Sequence, residues 1–126
     1  MRSWILFISG RRSDALLLTR MLRGLHVLVD HASNVGQARN KLRQRHFNAI
    51  LTEAALPDGS WRDILNATSE SPAQVIVTDP QADARLWAEA LNLGAFDLLP
   101  QPFYEPEVRR ILLNVCSRPA LSRAAG

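Results

Sequence analysis

Asn48-Ala49-Ile50-Leu51-Thr52-Glu53 followed by Ala54-Ala55-Leu56-Pro57-Asp58-Gly59 is an apolar run that stops abruptly in a turn. A short run of this kind, bounded by turn residues, marks a strand buried on both faces, as strands of a parallel sheet are. The strand is read over Asn48 to Glu53. Leu56-Pro57-Asp58-Gly59 supplies the turn, since proline presets φ, aspartate bonds back onto nearby amides and glycine accepts any backbone geometry. Trp61 to Ala67 then reads as a short helix.

The same strand-then-helix unit recurs in both directions. Upstream, Trp4 to Ile8 is a strand, and Asp14 to Arg23 a helix with Ser13 as its cap and Gly24 as its stop. His26 to Asp30 is the next strand, and Val35 to about Arg45 the next helix, with Asn34 and Gln37 at capping-box spacing. Downstream, Gln74 to Thr78 is a strand, and Asp79-Pro80 offers a cap and a first-turn proline for a helix that runs to Leu93 and ends at Gly94. Ala95 to Leu99 is the last strand, and a fifth helix runs from Pro106 to about Cys116.

Five such units predict an α/β fold: a flavodoxin-like doubly wound (βα)5 sandwich with a five-stranded parallel sheet in the order 2-1-3-4-5. In that topology the ligand crevice lies beyond the carboxyl ends of the strands. A length of 126 residues with 47% hydrophobic content suits one compact domain. It is placed over residues 1–117, with a loose tail over 118–126 that has little apolar content.

The net charge of +3 comes almost wholly from arginine, with Lys41 the one lysine. Charge of that size leaves nucleic acid open without arguing for it. The basic stretch Arg39, Lys41, Arg43, Arg45 falls on the second helix, with Arg39 and Arg43 on one face, and reads as a solvated face. A recognition helix or aromatics interleaved with the charge would be needed for nucleic acid, and neither is present, so nucleic acid is not an expected partner. Cys116 is the single cysteine and lies in an apolar helical stretch, where a buried thiol in a reducing, cytoplasmic setting is the expectation. The apolar start, up to Ile8, is too short for a signal peptide or membrane span, and no membrane partner is expected.

Three local signals in this order resemble the receiver domains of two-component response regulators over about Ser3 to Ser117. They are Ala55-Leu56-Pro57-Asp58-Gly59 after the third strand, Leu93-Gly94-Ala95-Phe96-Asp97 into the fifth, and Pro100-Gln101-Pro102-Phe103 with Glu105-Pro106-Glu107 behind it. The resemblance implies a site made of two acidic residues after the first strand and an aspartate ending the third, which together hold magnesium through oxygen ligands. That aspartate is also the family's nucleophile. A hydroxyl residue ending the fourth strand and a lysine ending the fifth complete the charge around the phosphoryl group.

Position by position, this chain departs from the pattern. Ser9 and Gly10 stand at the two acidic positions, Glu53 at the phosphoacceptor and Gln101 at the lysine. The hydroxyl position falls on Thr78, or on Asp79 when counted back from Gly94. No magnesium, other metal or cofactor is therefore expected, and no catalytic residue is assigned. Glu53 places a charge about one methylene further into the crevice and could mimic phosphoaspartate, but the lysine such a mimic would pair with is Gln101. The alternative is a pocket carboxylate without a switching role, balanced by Arg11, Arg12 or Thr78. Gln101-Pro102 resembles the family's peptide bond that is commonly cis. His26, His31 and His46 have no second metal-type ligand at diagnostic spacing.

On the fourth helix Leu86, Ala90 and Leu93 are expected to face the sheet, which leaves Trp87 and Leu91 as a second apolar pair. On the fifth, Val108, Leu112 and Val115 form the core stripe with Ile111 beside it, while Leu98 takes the place of an aromatic residue frequent in the family. Trp87, Leu91, Leu98 and Ile111 thus mark an expected interaction face for a protein partner or a homodimer. The expected function is a phosphorylation-independent protein-interaction module in bacterial signal transduction or transcriptional regulation. Two other readings stay open: a phosphoaccepting receiver that retains atypical transfer, and a small-ligand sensor using the crevice around Ser9, Gly10, Glu53 and Thr78.

Overall fold

A computed structural model describes residues 2–117. The expected tail over 118–126 lies outside the described residues. Strand β1 (Ser3–Ile8) lies between β2 (Val27–Ala32) and β3 (Ala49–Glu53), and β6 (Gln74–Asp79) and β7 (Asp97–Pro100) extend the sheet beyond β3. All four pairings are parallel, in the order β2-β1-β3-β6-β7. A two-residue turn at Pro57-Asp58 joins the short antiparallel strands β4 (Ala55–Leu56) and β5 (Gly59–Ser60). With those two small strands left out of the count, the sheet order is the expected 2-1-3-4-5.

The helices are α1 (Arg12–Met21), α2 (Val35–Gln44), α3 (Trp61–Ala67), α4 (Ala84–Asn92) and α5 (Glu105–Cys116). Strand β1 shows why the layers hold. Its residues Ile5 to Ile8 are fully buried, with alternate side chains serving opposite faces. Ile5 and Phe7 join Leu18 of α1 and Leu112 of α5, whereas Leu6 and Ile8 join Ala38 of α2 and Ile64 of α3. A smaller cluster of Trp61, Val77, Ala90 and Ala95 seats α4. Each fully buried Leu, Ile or Phe contributes about 1.5–3 kcal/mol, so both faces of the sheet are needed to stabilise it.

Helix starts depart from the sequence expectations in two places. Ser13 does not cap α1: the helix opens two residues earlier than expected, after Arg11, and no side chain caps it. Asp79 and Pro80 do not open α4 either. Asp79 remains in β6 opposite Pro100, and its carboxylate accepts from the Gln81 amide at 2.9 Å, so the cap falls to Asp83, whose Oδ1 accepts from Leu86 N at 2.9 Å. At α2 the Asn34 side chain accepts from Gln37 N at 2.8 Å, while Gln37 Oε1 reaches past the cap to Ser33 N at 2.8 Å. Ser60 and Asp63 form a reciprocal capping box on α3.

Gly94, at φ +110°, turns the chain out of α4 into β7. Cys116 is half-buried at the end of α5, where burial pushes its thiol pKa up and a hydrogen bond with Ser3 partly offsets that rise. Among the described residues no helix is long and apolar enough to cross a membrane.

Candidate functional site

The carboxyl ends of β1, β3, β6 and β7 bring Ser9 and Gly10, Glu53, Asp79 and Gln101 to one end of the sheet. Parallel pairing forces this, because every strand of the sheet ends on the same side. The residues gathered there do not form a cation cradle. Gly10 N donates to Glu53 Oε1 at 3.2 Å, so a backbone amide meets the carboxylate at a position where the family places acid. Ser9 is fully buried, and its Oγ accepts from Arg11 N at 3.0 Å. Its carbonyl oxygen meets His31 Nε2 at 2.8 Å, and since a carbonyl only accepts, the imidazole donates. These two bonds fix the loop that presents Gly10.

Thr78 is fully buried, and its hydroxyl donates to the Leu99 carbonyl at 2.6 Å, within the sheet. Of the two candidates for the hydroxyl position, Asp79 is thus the one at the strand end, with its carboxylate engaged by Gln81 N. Gln101 follows β7, donates its amide to the Asp79 carbonyl at 3.2 Å, and precedes Pro102 through a cis peptide bond.

The expected balance of Glu53 by Arg11 or Arg12 is not found. Among the described residues the ion pairs are Lys41–Asp30, at 3.0 Å, and Arg62–Glu89. Arg11 and Arg12 are exposed where α1 begins, and the Gly10 amide takes the carboxylate instead. Magnesium asks for a hard oxygen shell, usually with more than one carboxylate. No three His, Cys, Asp or Glu side chains converge to hold a metal among the described residues, so the site does not fit the ion that the resemblance implies.

At the β7 edge, Trp87 is 52% and Leu91 41% exposed. Leu93 does not face the sheet: it follows the last turn of α4 and is 54% exposed. Ile111 does not stand at the surface either. It is 2% exposed because it completes the buried stripe of Val108, Leu112 and Val115 on α5. It still contributes to one groove of about 390 Å³, together with Trp87, Leu98 and Pro100. Leu91 lies outside that groove, one turn further along α4.

Two residues that shape this end of the molecule make contacts that their sequence positions did not suggest. His31 pins Ser9, and Asp58 uses both carboxylate oxygens to accept from Val35 N at 2.7 Å and Gly36 N at 3.0 Å. Asp58 thereby ties the turn after Glu53 to the start of α2. Neither contact is a motif, because each joins residues more than 20 positions apart.

No protein-family model matches the chain. It is similar to the response regulator protein PilR of Pseudomonas aeruginosa, with 35% identity over 75 residues that cover 56% of this chain and 16% of that protein. The alignment therefore spans less than a fifth of that relative's length. Among solved structures, a two-component response regulator from Clostridium difficile superposes with a TM-score of 0.85 at 21% identity, covering 93% of this chain and 98% of that one. The signal receiver domain of an HD domain-containing protein from Pseudomonas fluorescens gives 0.84 at 20% identity, covering 98% and 93%. A chemotaxis response regulator of Vibrio cholerae gives 0.78 at 15%, covering 91% and 99%. The parallel sheet order, the five flanking helices and these superpositions agree that the fold of this chain is the fold of response-regulator receiver domains.

Proposed function

We propose that this chain is a degenerate bacterial receiver domain, spanning residues 1–117, that signals by protein contact without phosphorylation. The observation that carries the proposal is the hydrogen bond from Gly10 N to Glu53 Oε1. In a working receiver a carboxylate after the first strand and an aspartate ending the third share a cation. Here the first has become a backbone donor and the second a glutamate that this donor engages. With Gln101 at the lysine position, the charge that would develop on a transferred phosphoryl group has no cationic partner from β7. The crevice is thus a fixed polar corner, neither a catalytic site nor a switched one.

What remains for function is the face made by α4, β7 and α5. Trp87 and Leu91 expose apolar surface there, and Leu98 and Ile111 line the groove below. Tryptophan is prominent among residues that anchor protein interfaces, and an apolar surface favours a lasting contact over a charged, transient one. A protein partner or a second copy is the proposed occupant, in a cytoplasmic setting that fits the single half-buried thiol.

The test is phosphorylation with acetyl phosphate and magnesium. Wild type and Glu53→Asp are both expected to remain unlabelled, since each missing electrostatic donor costs roughly 10²- to 10³-fold in rate. The control adds Gly10→Asp and Gln101→Lys to Glu53→Asp. A Cβ at Gly10 meets only Pro57 Cγ, at 3.8 Å, so the aspartate has room. Magnesium-dependent labelling of wild type, or of Glu53→Asp alone, would overturn the proposal.

A further inference from the structure

The chain has three tryptophans, and two of them carry an arginine over the ring. The Arg45 guanidinium lies 3.8 Å from the Trp4 ring centroid, and that of Arg62 4.9 Å from Trp61. Trp87 has no such cover among the described residues and is 52% exposed. Its groove carries the carboxylates of Asp83, Asp97 and Glu107 against the single guanidinium of Arg110, a net charge of −2. None of these carboxylates is in an ion pair among the described residues.

A complementary surface lies elsewhere on the same molecule. Between α2 and α3 a groove of about 360 Å³ is lined by Arg39, Leu42, Arg43, Asn66 and Ala67. It offers two guanidinium groups, no carboxylate, and an apolar floor from Leu42 and Ala67. Arg43 donates to the neutral Asn40 side chain, and although the charge of Arg39 acts on the exposed Asp58 carboxylate, neither arginine is in an ion pair among the described residues. Helix α2 packs over β1 and β2 at one edge of the sheet, and α4 over β7 at the other, so a single molecule cannot bring the two grooves together.

We propose that this chain associates head to tail, with Trp87 and the acidic groove of one copy seated between Arg39 and Arg43 of the next. This rests on the reading of the α4–β7–α5 face as a protein-binding surface and names its occupant as a second copy's α2–α3 groove. The contact gives Trp87 the guanidinium cover that Trp4 and Trp61 already have, in an interaction that strengthens as water is excluded. It also sets a surface of net charge −2 against two cations, which guides encounter and register. Because the two surfaces differ, the contact is heterologous. A pair of copies keeps one free groove of each kind, one on each copy, and growth does not stop at a dimer unless the rotation closes a ring.

Sedimentation of the full 126-residue chain tests this. At low salt the weight-average mass is expected to climb with concentration past twice the 14.1 kDa of one chain, and to fall back as salt screens the charges. Trp87→Gln alone, which removes the ring without adding charge, and Arg39→Glu with Arg43→Glu, should each weaken self-association at least tenfold. Mixed in equal amounts, the two variants should form a 1:1 heterodimer and go no further, because each brings one intact surface. Trp87→Ala mixed with Arg39→Gln/Arg43→Gln repeats the test with gentler changes.

Failure of both mixtures to pair, or a wild type that stays monomeric, would overturn the head-to-tail arrangement. If the double arginine variant associates as wild type does while Trp87→Gln does not, the arrangement is also wrong. In that last case the α4–β7–α5 face remains a binding surface with a different occupant.

Discussion

Asp58 closes the first turn of α2 from outside the helix. Its carboxylate takes the Val35 and Gly36 amides, and the Asn34 side chain takes that of Gln37. The bonds from Val35 and Gly36, aided by Arg39, hold the Asp58 carboxyl below the ordinary aspartate range. An unfolded aspartate titrates near about 3.9, so the stabilisation is complete above that pH and is lost as pH falls through the lower folded value. Asp58→Asn should lower the melting temperature at neutral pH, and the gap to wild type should close as pH drops below about 4; a gap independent of pH would remove the charge from the explanation. Thr78→Val keeps the shape of its buried site but removes the bond to Leu99 O, with an expected loss of about 1 kcal/mol in urea unfolding. The sequence identified Asp58 as a turn residue but not as a cap, since no spacing links position 58 to position 35. Glu53 was legible as a residue out of place, and its partner was not. The expectation looked among charged side chains, and the donor is the backbone of Gly10.

Helix α4 shows how two plausible caps are separated by their surroundings. Asp79-Pro80 and Asp83 both offer an aspartate ahead of an apolar period, and local chemistry does not choose between them. Pairing does: β6 claims Asp79 as a partner of Pro100, and the helix waits until Asp83. The other end was clear in the sequence, because only glycine closes easily at a φ of +110°. Gly94→Ala should cost about 1–2 kcal/mol in chemical denaturation, from backbone conformation alone, since nothing lies within 4 Å of the added Cβ. Ile111 illustrates the limit of a narrow stripe. Positions 108, 111, 112 and 115 are all buried on α5, so the apolar face is a residue wider than the i, i+4, i+7 count allowed.

Across the whole molecule, the alternation of strands and helices sufficed for the architecture, because crossover handedness leaves few ways to join five such units. The site was less legible, since it depends on contacts between segments far apart in sequence. The sheet separates two cores: Leu51 serves the one beneath α1 and α5, and Ile50 the one beneath α2 and α3. Leu51→Ala and Ile50→Ala should each cost about 2–5 kcal/mol. Although adjacent in sequence they point into different layers, so the double variant should fall within about 0.5 kcal/mol of the sum, and a larger departure would mean that the cores communicate through β3. Cys116, where α5 ends beside Ser3 of β1, gives the fold a chemical clock. Burial keeps the thiol protonated, and alkylating reagents attack the thiolate, so the docked helix is slow to react. As the chain's single cysteine it gives one signal: the rate of its alkylation at neutral pH counts how often the end of α5 lifts from the sheet.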